Sequence, residues 1–312
     1  MAETTGIAWT DATQNFWEGC TKVGPGCEAC YAEARDQRWH DGSHWGLGAP
    51  RRRMVAATFN RPVTWSQKRQ TYEAALAAGR EWPSNKPVPP LWVFSMSLGD
   101  LFDNEVDPAW RADAWHVIRH SPGLRFQLVT KRVSNVRKML PADWGDGSPY
   151  THVGIISTIV TQEEADRDIP RLAALKDLGV RWVGLSMEPL LEAVSLARAW
   201  PPDDLDWVII GGESQQGSAE ARPFHLEWAE ALVDECREFG VPCFVKQLGD
   251  CPVLRLQPGP DADYEWFHEV RVRHSDRVAF GMTNSPANGD MALWPPDLRV
   301  REMPRIYDRT GL

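Results

Sequence analysis

The stretch Trp207-Val208-Ile209-Ile210-Gly211-Gly212-Glu213-Ser214 passes from four apolar residues straight into two glycines and an acid. A half-buried strand alternates apolar with polar, so an unbroken apolar run marks a strand covered on both faces, as in parallel sheets flanked by helices. Five further β-branched or apolar runs come close to it: Leu91–Met96, Arg125–Val129, His152–Ile156, Arg181–Leu185 and Pro242–Val245. They start roughly 25 to 37 residues apart, the length of one βαβ unit. Between them apolar residues return at helical spacing, most clearly over Glu163 to Leu178 and Glu227 to Phe239. Gly179 and Gly240 follow these two segments, where a helix C-cap favours glycine. One more strand ahead of the first cysteines gives about seven βα units. The expected fold is α/β, a full or partial (β/α) TIM-type barrel over residues 1–250. An inserted basic-aromatic segment or lid is expected at 35–90 and a small C-terminal cover at 251–312.

Chemistry in such barrels gathers at the C-terminal ends of the strands. The residues there are polar in six successive cases: Ser95-Met96-Ser97-Leu98-Gly99-Asp100, Thr130-Lys131-Arg132, Ser157-Thr158, Ser186-Met187-Glu188-Pro189, Gly211-Gly212-Glu213-Ser214 and Lys246-Gln247. Any one of these is ordinary for a βα loop. Six together predict a shared pocket.

Ahead of them lies Gly19-Cys20-Thr21-Lys22-Val23-Gly24-Pro25-Gly26-Cys27-Glu28-Ala29-Cys30-Tyr31, which holds three of the six cysteines. The odd local number and the absence of a signal-like leader over Met1 to Thr13 argue against a disulfide framework. A structural zinc site wants four ligands, for which His40 and His44 are the nearest further candidates. Three thiolates on a [4Fe–4S] cluster leave one iron open to a reactant. The Gly24-Pro25-Gly26 insert forbids regular helix and lets backbone wrap a bulky inorganic core, which favours the cluster over a single ion. Cys236, Cys243 and Cys251 read as core thiols, with a second cluster as the alternative.

A net charge of −9 and a pI near 5.4 exclude a broad basic face for nucleic acid. A local basic strip is still allowed. The insertion carries Arg51-Arg52-Arg53, Arg61, Lys68 and Arg69 among Trp39, Trp45, Phe59 and Trp65. Such interleaving suits a phosphate-bearing, base-stacking ligand, the alternative being a lid with a solvated face. Sixteen tryptophans against five tyrosines serve either the core or stacking. Apolar runs are too short to span a bilayer and nothing directs export, so no membrane partner and a cytoplasmic location are expected. Beyond residue 252, the alternation Glu269-Val270-Arg271-Val272-Arg273 predicts a strand pair or cover.

An open-iron cysteine loop ahead of a parallel barrel resembles the radical S-adenosylmethionine superfamily. The Cys27-x2-Cys30 half and Tyr31 match the superfamily pattern, whereas the gap from Cys20 to Cys27 encloses six residues in place of the usual three. Trp17-Glu18-Gly19-Cys20-Thr21-Lys22-Val23, Gly26-Cys27-Glu28-Ala29-Cys30-Tyr31-Ala32, Asp100-Leu101-Phe102, Thr130-Lys131-Arg132, Glu188-Pro189-Leu190, and Gly211-Gly212-Glu213-Ser214 with Ala221-Arg222-Pro223 resemble the phage- and bacterium-encoded three-cysteine-motif family, whose activity is uncertain. That resemblance spans most of residues 7–250.

The resemblance implies a [4Fe–4S] cluster on Cys20, Cys27 and Cys30, and S-adenosylmethionine as cosubstrate, cleaved to a 5′-deoxyadenosyl radical. Ser97, Asp100, Lys131, Arg132, Ser157, Gly211 and Gly212 would bind the cosubstrate, with Asp100 on its ammonium and Lys131 or Arg132 on its carboxylate. Glu188, Glu213 and Lys246 would be catalytic, and Arg52, Arg53, Arg222 and Gln247 would meet the substrate. The structural alternative for Asp100, Glu188 and Arg222 is a set of salt bridges at the barrel rim. The expected function is a radical enzyme modifying or repairing a nucleotide or nucleic-acid base, with a reductant such as flavodoxin or ferredoxin as partner. A lyase acting on a DNA photoproduct shares all these features. A non-catalytic iron–sulfur or zinc-stabilised module that binds nucleic acid or a protein is the alternative.

Overall fold

The structure is a computed structural model that describes residues 5–145, 149–199, 204–216, 220–256, 268–271, 291 and 294–305. Its strands are β1 (Ala12–Gln14), β2 (Trp17–Glu18), β3 (Arg52–Arg53), β4 (Trp92–Ser95), β5 (Arg125–Thr130), β6 (Val153–Thr158), β7 (Trp182–Met187), β8 (Trp207–Gly211), β9 (Phe224–His225), β10 (Cys243–Gln247), β11 (Pro252–Leu256) and β12 (His268–Arg271). The helices are α1 (Tyr31–His40), α2 (Ala56–Phe59), α3 (Arg61–Ala77), α4 (Pro108–Arg119), α5 (Val133–Met139), α6 (Gln162–Ala173), α7 (Leu196–Ala199) and α8 (Leu226–Phe239).

Seven strands form one parallel sheet in the order β1-β4-β5-β6-β7-β8-β10. Each strand lies beside its predecessor in the sheet and the order never reverses, which is barrel winding and not the doubly wound pattern. Every residue of β6, β7 and β8 is buried, as the unbroken apolar runs require. The outer edge of β10 is occupied by its own C-terminal neighbour. Val245 donates its N–H to the Val300 carbonyl at 2.9 Å and Glu302 donates to Cys243 at 2.8 Å, with Phe244 bridged antiparallel to Arg301. A strand with both edges filled cannot also close onto β1, so the barrel is partial.

The chain divides into two compact units. The first comprises residues 1–23, 31–157 and 174–183. Within it a Cβ on Gly154 of β6 would lie 1.9 Å from Cε2 of Trp182, whose fully buried ring fills that space. Residues 35–90 lie wholly in this unit and include most of α1 with β3, α2 and α3. Phe59 and Trp65 are core residues there, so two of the four interleaved aromatics offer no stacking face, while Trp39 is exposed. The short β2 and β3 pair antiparallel, Trp17 with Arg53 and Glu18 with Arg52.

The second unit comprises residues 24–30, 158–173 and 184–312. The expected helix from Glu163 ends as α6 at Ala173, and the separate 3₁₀ turn that follows, Lys176–Leu178 with Gly179 at φ +85°, belongs to the first unit. The second expected helix is α8, closed by Gly240 at φ +67°. Of the C-terminal cover, β11 pairs antiparallel with β12 and parallel with β9. The last two residues of the alternating run, Val272 and Arg273, lie outside the described residues. Among the described residues no helix is long and apolar enough to cross a membrane.

Candidate functional site

In the first unit the site grows from the end of β4. Met96 takes a left-handed conformation, φ +69°, which is costly for a residue with a side chain and turns the following loop sharply. Asn15, just past β1, fixes that loop: its Oδ1 accepts the Leu98 N–H at 2.7 Å and its Nδ2 donates to the Ser97 hydroxyl at 2.9 Å. The Tyr31 hydroxyl donates to the Ser97 carbonyl. Gly19 sits at φ +106°, where a Cβ would be 2.4 Å from the His44 carbonyl oxygen, and its N–H reaches Leu98. The residue before Cys20 is thereby held against the β4 loop.

Asp100 lies buried beneath this loop. Its carboxylate accepts from Phe102 N–H at 2.9 Å, the Thr130 hydroxyl at 2.9 Å, Lys131 N–H at 3.1 Å and Arg132 Nη1 at 3.3 Å. The guanidinium of Arg132 then reaches the cysteine loop, donating from Nη1 to Cys20 Sγ at 3.2 Å and from Nη2 to the Thr21 carbonyl at 2.7 Å. Burial pushes the Cys20 thiol up to about 11, against the lowering pull of Arg132. Burial alone would lower Arg132, but Asp100, with Cys20 and Asp103, raises it and keeps it charged. Ser157 on β6 stands in register with Thr130 and is buried.

The arginine triplet is paired internally. Arg51 is buried, bonded to Asp103 at 2.8 Å and Glu105 at 2.9 Å, and donates to Thr21 Oγ1 at 2.7 Å. Arg52 meets Glu18, and Arg53 meets Asp113 at 2.6 Å while its guanidinium stands 4.6 Å over the Phe59 ring. Asp100, Asp103 and Glu105 thus face Arg51, Arg132 and Arg111, the last donating to the carbonyls of Leu101 and Asp103. The acids at 100, 103 and 105 were the available sign that the arginines are structural partners.

In the second unit the ends of β7, β8 and β10 carry the remaining candidates. Lys246 Nζ lies 2.7 Å from Glu188 Oε1, and the Ser186 hydroxyl reaches Glu188 Oε2 at 3.5 Å. Gly211 leaves room for that acid, since a Cβ would come 3.0 Å from Glu188 Oε1. Gly212 is required by packing, because a Cβ would fall 2.7 Å from the Leu248 carbonyl oxygen. The Gln247 amide nitrogen donates to the Gly212 carbonyl at 2.8 Å and the Ser214 hydroxyl at 2.7 Å, so it braces the β8 loop.

Glu213 is buried and gives both oxygens to Arg222, at 2.6 Å from Nη2 and 3.0 Å from Nε. Arg222 Nη1 continues to the Pro25 carbonyl at 2.9 Å and to Glu28 at 3.0 Å. Neither contact to the cysteine segment is foreseeable from sequence, as 197 and 194 residues separate the partners.

All six cysteines are free thiols. The chemistry of the donor set fits an iron–sulfur group: three thiols within eleven residues and a guanidinium N–H directed at one of the sulfurs. Among the described residues no three His, Cys, Asp or Glu side chains are drawn together as a metal-ligand group. Cys236 and Cys243 are buried in the second unit, and Cys251 is half-buried there.

A family model, described as a protein of unknown function (DUF5131), matches residues 4–281. No curated protein and no solved structure matches the chain.

Proposed function

The chain belongs to the DUF5131 family, and from its site we propose an iron–sulfur enzyme of the radical S-adenosylmethionine type acting in the cytoplasm. The observation that carries this reading is the guanidinium of Arg132, held by buried Asp100 and donating to Cys20 Sγ at 3.2 Å. A hydrogen bond to a ligating sulfur is how a protein orients a thiolate and tunes a cluster, and a core cysteine has no use for a buried cation. Cys20, Cys27 and Cys30 would hold the [4Fe–4S] cluster, which when bound supplies one-electron reduction of S-adenosylmethionine.

The remaining roles follow from which groups are already committed. The acceptor sites of Asp100 are filled by Phe102 of its own loop and by Thr130, Lys131 and Arg132 from the end of β5, which favours a part in positioning Arg132 over direct contact with the cosubstrate ammonium. Glu213 is committed to Arg222. Glu188 and Lys246 are left as the acid–base pair of the strand ends, able to exchange a proton with a bound substrate. Ser97, Lys131, Ser157, Gly211 and Gly212 remain the residues we assign to the cosubstrate. A nucleotide or nucleic-acid base is the substrate class we favour, because half-exposed Arg52 and Arg53 share a unit with Trp39, whose exposed ring lies 5.2 Å from the Arg38 guanidinium. The electron would come from a flavodoxin or ferredoxin.

The test is anaerobic reconstitution with iron and sulfide, then dithionite and S-adenosylmethionine, with chromatographic detection of 5′-deoxyadenosine. Its formation by the wild type and loss in Cys27→Ala is the expected result. A Cys236→Ala variant should retain iron. About four irons without cleavage would favour a cluster-stabilised binding module, and zinc in place of iron would overturn the proposal.

A further inference from the structure

We infer that Arg222 is a positioning residue that holds the Cys27–Cys30 segment in its folded conformation before any metal is bound. Only the purpose of this lock rests on the proposed ligand role of the cysteines. The lock itself is read from the second unit alone.

The segment has little structure of its own. Pro25–Cys27 form a single 3₁₀ turn, closed by Cys27 N–H to the Gly24 carbonyl at 3.0 Å. One such turn in isolation does not persist in water. Its other close neighbour in the unit is Glu164, whose Oε1 would lie 2.8 Å from a Cβ on Gly24. The fixed point is Glu213. Its carbonyl accepts Asp250 N–H at 2.8 Å, and Gly249, at φ +72°, packs so close that a Cβ would meet the Glu213 backbone at 2.8 Å. Arg222 joins turn to anchor. Its main-chain N–H and its Nε both donate to Glu213 Oε2, Nη2 donates to Oε1, and Nη1 spans the Pro25 carbonyl and Glu28.

The two arms of Nη1 differ in weight. The Glu28 side chain is 68% exposed, so solvent screens that ion pair and it contributes little. The Pro25 carbonyl is a fixed backbone acceptor inside the turn, and a guanidinium with donors on two edges serves it and Glu213 together. A lysine ammonium has neither the reach nor the fork.

Site-resolved alkylation of the metal-free, full-length protein with iodoacetamide, followed by mass spectrometry, tests the lock. Arg222→Ala should label Cys27 at least about tenfold faster, the change expected for losing a charge-assisted hydrogen bond that opposes local opening. Cys30 should follow, and buried Cys236 and Cys243 should stay protected as the control for folding. Arg222→Lys should give an intermediate rate, and Glu28→Gln should leave the wild-type rate unchanged. Unchanged Cys27 labelling in Arg222→Ala, with Cys236 protected, would overturn the inference. If Arg222→Ala exposes Cys236, Arg222→Lys decides by the same criterion. A wild-type protein that takes up no iron would sink the enzymatic reading and leave the labelling result standing.

Discussion

Replacing Asp100 with Asn separates a structural carboxylate from a ligand-binding one. The Asp100 carboxylate takes four kinds of donor: Phe102 N–H, the Thr130 hydroxyl, Lys131 N–H and Arg132 Nη1. An asparagine oxygen can keep Phe102 and Thr130. Its amide nitrogen would then face the Lys131 N–H and Arg132, donor against donor, with the Arg132 charge left only the 3.8 Å contact to Asp103. Losing two hydrogen bonds to a charged acceptor, one of them from a guanidinium, at a carboxylate only 4% exposed should cost about 3 to 5 kcal/mol, the range for breaking a buried ion pair from one side. Urea unfolding of the metal-free protein, followed by tryptophan fluorescence, measures it. Thr130→Val calibrates the scale at about 1.5–3 kcal/mol, since it removes a donor to the same carboxylate and the acceptor of the Arg132 N–H at 2.9 Å. Iron retention should fall in Asp100→Asn as well, because Arg132 loses the anchor from which it reaches Cys20. A loss below about 1 kcal/mol together with weaker S-adenosylmethionine binding would refute this reasoning and return Asp100 to the cosubstrate.

Two further outcomes are independent of any cofactor. Gly154→Ala should destabilise by about 1–3 kcal/mol or more in thermal unfolding, since its methyl would sit 1.9 Å from the Trp182 ring; the double variant with Trp182→Phe should recover part of the loss, and simple additivity would contradict the packing. His152 donates Nε2–H to the Ile118 carbonyl at 2.9 Å, and burial holds it below its ordinary value near 6.5. A base lowered by folding adds stability that is present above that value and lost as pH falls towards the folded one. The acid limb of the stability profile below about pH 6.5 should therefore be shallower in His152→Gln, and an unchanged limb would place the titration elsewhere.

The fold was legible because burial on both faces writes itself into consecutive residues. Val153–Thr158, Trp182–Met187 and Trp207–Gly211 are wholly buried strands, and each overlaps the run that predicted it, the first two starting one residue later than their runs. Closure was not legible. It depends on whether the last strand keeps a free edge, and that edge is filled by Val300 and Glu302, more than fifty residues later in a stretch with no strong strand pattern. Boundaries slipped for a local reason: Lys246 and Gln247 end β10 instead of following it, since a polar residue at a strand end is tolerated when its side chain has a partner, as Lys246 has in Glu188.

For the site, residue type announced polarity and position, and the partners decided the role. Arg51, Arg52 and Arg53 read together as a basic strip, yet Arg51 is the most deeply buried of the three because Asp103 and Glu105 wait for it. From sequence, Arg132 reads as a cosubstrate ligand and Arg222 as a substrate ligand, each following a strand-end motif. The structure gives each a buried carboxylate on one side and the cysteine loop on the other: Asp100 and Cys20 for Arg132, Glu213 and Pro25 for Arg222. A guanidinium is suited to this use because it stays charged when buried and offers donors on separate edges. Each fork restrains the part of the thiol-bearing segment that lies in its own unit, Arg132 at Thr21 in the first and Arg222 at Pro25 and Glu28 in the second. In each unit the guanidinium that reads from sequence as a ligand, Arg132 for the cosubstrate or Arg222 for the substrate, already holds the loop segment beside it, so a bound ligand would have to share that donor.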